Sequence, residues 1–219
     1  MSSCVENFDF QLKNPFTMCI AGPTKSGKTT FVGNLLRSAD EVFTKPRNKI
    51  FYFYNQCEPE DKNLQQFVDE FVNGLPSENW VKDAFEMYGE NITIVIDDQA
   101  LHVNKVIAEL FTVNSSRQKC NVIYITQNLF SRKDEAREIS LNCSYFVLFK
   151  NPRDSLTVQS FFKQYDPGNS KILLEIYREA TNKPYSYLFI DLHQSTPTEN
   201  RLLSNIFEEN NEPPMLYRY

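Results

Sequence analysis

Between Ala21 and Phe31 the chain reads AGPTKSGKTTF. Gly22, Gly27, Lys28 and Thr29 stand at the spacing G-x-x-x-x-G-K-[ST], a set of residue types suited to holding a polyphosphate. Glycines let the backbone turn so that successive N–H groups point inward and form an anion nest. A helix beginning near Lys28 adds its unpaired N–H groups and the positive end of its dipole. Lys28 then reaches the β- and γ-phosphates, and the Thr29 hydroxyl ligates Mg2+. The nucleotide loop is expected to comprise Gly22, Pro23, Thr24, Lys25, Ser26, Gly27, Lys28, Thr29 and Thr30.

A second cluster follows in ITIVIDD, residues 92–98. Five β-branched residues read as a buried strand that carries two carboxylates to its end, the edge where ligands bind in open α/β sheets. Asp97 suits the Mg2+ shell through a water, and Asp98 suits a general base acting on the attacking water. Neighbouring side chains on a strand face opposite ways, so the two can serve different atoms. Thr126 and Gln127 end the strand NVIYITQ. There a polar side chain either bridges the attacking water and the γ-phosphate or caps the strand. No N-K-x-D string for a guanine base occurs, which favours ATP over GTP.

These groups must be positioned by strands and helices. FTMCIAG (16–22), KIFYFYN (49–55), NITIVIDD (91–98), NVIYITQN (121–128), SYFVLFK (144–150) and YSYLFIDL (185–192) read as strands. Several are apolar at nearly every position, as strands covered on both faces are. Helical patterns lie at 28–38, 63–73, 79–88, 103–113, 155–165, 170–181 and 198–207. Strand and helix in alternation predict an α/β fold: a doubly wound, mostly parallel sheet with helices on both faces. No linker-like stretch divides residues 1–207, so one ATPase domain is expected there, with 208–219 as a flexible C-terminal tail.

Composition sets limits. A net charge of −5 argues against a protein that coats nucleic acid along its whole surface. Five scattered cysteines without a C-x-x-C pair, and two histidines, argue for reduced thiols and no zinc cluster. No apolar run is long enough to span a bilayer, and the N-terminus lacks a basic and apolar leader. No membrane partner is expected, and an intracellular location is.

The ordered set GPTKSGKTTF, FVNGLP, IVIDDQ, ELFTVNSSRQKCNVIYITQNLF, SLNCSYFVLFKNPRD and PYSYLFIDL resembles the DNA-packaging ATPases of the FtsK–HerA superfamily. It resembles in particular the poxvirus-type enzymes of large DNA viruses, adintoviruses and Polinton-like elements, over about residues 14–207. The resemblance implies a P-loop NTPase with an additional strand and a catalytic carboxylate. It also implies a homo-oligomeric ring that threads double-stranded DNA into a preformed capsid at a portal or vertex protein. The setting would be the host nucleus, a cytoplasmic virus factory or the virion. By position, Lys28 and Thr29 match the loop pair, Asp97 and Asp98 the acidic pair, and Gln127 the sensor. Lys25 departs from the small residue common in relatives, and SSRQ departs from their histidines.

A ring ATPase completes its site with an arginine from a neighbouring subunit. Arg117 is the first candidate, followed by Arg153 and Arg137. Residues 115–153 carry seven basic side chains against three acidic ones, a local positive stretch in an acidic protein. Within it Arg132 and Lys133 are expected to touch DNA phosphates in a sequence-tolerant way. A small-molecule kinase and an ATP-dependent assembly switch are the competing readings.

Overall fold

In the computed structural model, residues 2–4, 10–46, 48–55, 59, 62–97, 105–117, 119–127, 134–207 and 213–219 are described. The first half runs β1 (Ser2–Cys4), β2 (Thr17–Ala21), α1 (Lys28–Arg37), α2 (Ala39–Val42), β3 (Ile50–Tyr54), α3 (Lys62–Phe67), β4 (Glu70–Asn73), α4 (Glu78–Tyr88) and β5 (Thr93–Asp97). Next come α5 (Lys105–Glu109), a π-helical turn at Leu110–Asn114, α6 (Ser115–Arg117), β6 (Asn121–Thr126), α7 (Asp134–Leu141) and β7 (Tyr145–Phe149). The rest is α8 (Ser155–Tyr165), α9 (Ser170–Ala180), β8 (Tyr187–Asp191), a 3-10 turn at Thr198–Asn200, β9 (Leu202–Ser204) and β10 (Met215–Tyr217).

Among the described residues the strands form one ten-stranded sheet in the order β1-β10-β9-β8-β7-β2-β6-β5-β3-β4. From β7 to β4 every pairing is parallel, whereas β8, β9, β10 and β1 extend the β7 side antiparallel. The doubly wound, mostly parallel expectation holds, and β6 is the additional strand between the strand before the loop and the acidic strand.

Alternation along the central strands divides two cores. Met18, Ile20, Val95, Ile123 and Ile125 face α1, α2 and α3, packing on Phe31, Leu35, Val42 and Leu64. Cys19, Ala21, Ile94, Ile96 and Tyr124 face the opposite layer, with Val81 of α4, Ile107 of α5, Ile139 of α7, Phe161 of α8 and Ile176 of α9. Strands buried on both sides need apolar residues at consecutive positions, which is why ITIVI and VIYI do not alternate.

Capping accounts for where the helices start and stop. The Ser77 hydroxyl accepts from Trp80 N at 3.2 Å at the start of α4, and Asp154 accepts from Thr157 N at 3.2 Å at the start of α8. Gly89 closes α4 at a positive φ of 69 that favours glycine, its N–H donating to the Phe85 carbonyl. Within 105–117, the Thr112 and Ser115 hydroxyls donate back to the Ala108 and Phe111 carbonyls. Such bonds compete with the helical ladder, and the π-helical turn lies at this point.

Three of the sequence expectations need correction. The helix expected at 63–73 stops at Phe67. Asp69 instead bonds β3 through its N–H to Ile50 O at 3.1 Å and its carboxylate to Ile50 N at 2.8 Å, and Glu70–Asn73 pairs as an edge strand. The helix expected at 198–207 is a 3-10 turn followed by β9, because Leu202 and Leu203 are buried on opposite faces of the sheet. The tail expected to be flexible contains β10, whose Leu216 and Tyr217 are likewise buried on opposite faces.

Cys19, Cys120 and Cys143 are buried free thiols. Burial pushes the Cys120 thiol up to about 12. Burial also raises Cys143, helped by its hydrogen bond with Cys19. Since the thiolate is the nucleophile, both stay unreactive near neutrality. Cys120 and Cys143 are expected to escape iodoacetamide at pH 8 in the folded protein and to react after denaturation, read by peptide mass spectrometry.

Candidate nucleotide site

The loop between β2 and α1 is shaped as a cradle. Lys25 and Gly27 both lie in the left-handed region, at φ 62 and φ 106. Left-handed residues within a turn aim neighbouring N–H groups into one concavity. Gly27 precedes α1 without a side-chain cap, and no acidic side chain occupies the first turn. The helix N–H groups are thus left for an anion.

Gly22 is close-packed. A Cβ there would lie 2.6 Å from the Phe149 Cβ and 2.8 Å from the Ser26 Oγ. Gly22→Ala is therefore expected to shift the loop and destabilise the fold by about 1–3 kcal/mol. Thermal melting checks this, at about 2–4 °C per kcal/mol for a chain of this size.

Two polar groups inside the cradle point to a ligand. The Ser26 Oγ is buried without a hydrogen-bond partner among the described residues, an arrangement that destabilises unless something binds there. The Lys28 ammonium, on a side chain 9% exposed, donates to the carbonyls of Gly22 at 2.8 Å and Pro23 at 2.9 Å. Both acceptors belong to the loop itself, so the ammonium lies at the loop's mouth. A cavity of about 620 Å3 opens beside it, lined by Lys25–Phe31, Phe149, Tyr185 and Tyr187.

Asp97 is brought to the same edge. In register, Thr126 lies opposite Ala21 and Ile125 opposite Asp97, so β6 alone separates the acidic strand from the strand leading into the loop. Two strand spacings amount to roughly 10 Å across the sheet. Val95 faces the α1 side and Ile96 the opposite side, which returns Asp97 to the α1 side. The fully buried Tyr52 fixes it there by donating its hydroxyl to the Asp97 Oδ2. This contact is not apparent from the sequence, although Tyr52 sits on the same alternation as the α1-facing core.

Other expected residues fall in different places. Thr126 is buried and its carbonyl accepts from Gly22 N at 3.2 Å, while Gln127 shares a small cleft with Gly22, Asn151 and Asp154. Arg153 is exposed, just past β7, and lies on the loop's edge of the sheet. Arg117 is exposed just before β6, at the edge opposite the loop, so this chain does not bring it to its own site. Arg137 is exposed on α7. Asp98, Arg132 and Lys133 lie outside the described residues.

The site fits a Mg2+-bound nucleoside triphosphate: a cradle that a Cβ would fill, an orphaned buried hydroxyl, a lysine at the mouth and a held carboxylate. Thr29, in the first turn of α1, and Asp97 are the side chains that would hold the ion, with phosphate and water oxygens completing its shell.

The strand order and the loop geometry decide the architecture. The fold is that of the P-loop NTPases. The genome-packaging NTPase B204 of Sulfolobus turreted icosahedral virus 2, solved with AMPPCP, is similar at a TM-score of 0.53 and 14% identity, over 83% of this chain and 95% of that one. The cytoplasmic domain of EssC matches at a TM-score of 0.40 and 13% identity, over 57% of this chain and 30% of that one. The Thermotoga maritima RuvB Holliday junction branch migration motor matches at 0.38 and 13%, over 74% and 49%. No protein-family model matches the chain, and no curated protein does. Among the described residues no helix is long and apolar enough to cross a membrane.

Proposed function

We propose that this P-loop NTPase is an ATP-driven motor that moves double-stranded DNA into a preformed viral capsid. The observation that carries the catalytic half is the convergence of the 22–29 cradle and Asp97 on one edge and one face of the sheet. The likeness to B204 along most of both chains supports genome packaging as the task.

Each group in the cradle has a role in that reaction. Backbone N–H groups of the loop and of the first turn of α1 hold the phosphate oxygens. Lys28 swings from the Gly22 and Pro23 carbonyls to the β- and γ-phosphates and balances their charge as the terminal bond breaks. Thr29 and Asp97 would hold Mg2+, which when bound would supply charge neutralisation for the phosphates. Tyr52 keeps the Asp97 carboxylate oriented. Asp98 takes the proton of the attacking water, and Gln127 orients that water. An arginine from the next subunit of a ring stabilises the transition state; Arg117, exposed and far from its own loop, is the first candidate for that task in trans, ahead of Arg153 and Arg137. Arg132 and Lys133 track the DNA phosphates.

The test is an ATPase assay on the purified chain with and without duplex DNA, alongside its mass in solution with and without nucleotide. A motor hydrolyses ATP faster on DNA of any sequence, the more so at low salt, and assembles. A phosphorylated small molecule would mark a kinase instead, and DNA-independent assembly without needed turnover would mark a switch.

A further inference from the structure

The turn before β8 holds a tyrosine where its backbone favours glycine. Lys183–Ser186 closes with Ser186 N donating to the Lys183 carbonyl at 3.4 Å and Ser186 Oγ donating to the same oxygen at 2.7 Å. Pro184 takes the second position and Tyr185 the third, at φ 65. A type II turn has this pattern, with proline second and a left-handed residue third, for which glycine is the unstrained choice. Any L side chain there is strained.

Burial does not compensate for the strain, because Tyr185 is 70% exposed. The ring lies against the phosphate loop. Its Cβ and Cδ1 are 3.4 and 3.6 Å from the point where a Cβ on Gly27 would sit. It lines the large cavity together with Phe31, Phe149 and Tyr187. Those three are buried and pack on one another, Phe31 meeting Tyr187 edge-on at 4.8 Å and Phe149 at 6.3 Å between ring centroids. They form the cavity floor, so of these four rings Tyr185 is the one open to a ligand. Backbone strain held at the rim of a binding cavity marks a functional constraint.

We propose that the Tyr185 ring is the stacking platform for the base of the nucleoside triphosphate whose phosphates occupy the 22–29 loop. This rests on the nucleotide reading of that loop. A triphosphate seated at Lys28 directs its nucleoside past Thr30 and Phe31 into the cavity that Tyr185 borders. Every base has a π-face, so the contact strengthens nucleotide binding without selecting adenine over guanine. The left-handed backbone holds the ring beside the loop, where a relaxed turn would not.

Calorimetric titration of the full chain with ATP, and separately with inorganic tripolyphosphate, tests this. Tyr185→Ala is expected to lose about 10-fold or more in ATP affinity while binding tripolyphosphate as before. Tyr185→Phe keeps the ring and should bind ATP within about twofold of the original chain. Tyr185→Gly removes ring and strain together and should lose ATP affinity while keeping or raising the melting temperature. ATP affinity unchanged in Tyr185→Ala would overturn the stacking role, as would equal loss of both ligands. Lys28→Ala, which should weaken both ligands, reports on the loop itself. An unaltered chain that binds neither ligand would overturn the loop reading and the stacking role with it.

Discussion

Exchanging Lys28 for alanine is expected to lower ATP turnover by about 10²–10³-fold, the scale for losing one positioned charge at a reacting group. The ammonium donates to two backbone carbonyls inside the loop, the position from which it can reach the phosphates. ATP affinity should fall as well, because charge-assisted bonds to the β- and γ-phosphates hold the ground state too, at about 1.5–3 kcal/mol each. Steady-state hydrolysis and direct titration separate the two effects. A variant that hydrolyses ATP normally would mean that the 22–29 loop is not the catalytic cradle.

Asp98→Asn is expected to stop hydrolysis while leaving ATP and DNA binding intact. Asparagine keeps the size of the side chain and loses the base, and a general base is worth about 10²–10⁴-fold. Single-turnover hydrolysis with pre-bound ATP reads the chemical step alone. This variant also divides the motor from an assembly switch. A motor carrying it binds but no longer moves DNA, whereas a switch still assembles and functions. Normal single-turnover rates would remove Asp98 from the chemistry.

Much of this site was legible in the sequence because its parts are local. A cradle of glycines, a lysine and a threonine in eight positions is read within one turn of chain, and ITIVID announces a two-sided strand that ends on its carboxylate. The doubly wound sheet followed from six such strands. What stayed hidden depends on contacts between distant segments. Strands β4, β9 and β10 have three or four residues, too few to show a period, and the sheet that pairs them is built elsewhere in the chain. The Tyr52 hydroxyl meets Asp97 through strand pairing, although YFYN alone reads as core. Tyr185 had a visible signal in KPYS, where proline is followed by tyrosine instead of the glycine a type II turn prefers. Arg117 illustrates the limit of linear proximity: it stands ten residues before Gln127 in sequence, yet β6 carries the two to opposite edges of the sheet.

The central claim is that the cradle and Asp97 share a single metal-bound triphosphate. Titrating ATP at a series of Mg2+ concentrations, on the original chain and on Asp97→Asn, tests it most directly. The account predicts that Mg2+ tightens ATP binding in the original chain and that Asp97→Asn loses most of that dependence, about 10-fold or more, while still binding ATP without metal. Identical Mg2+ dependence in the two proteins would contradict it.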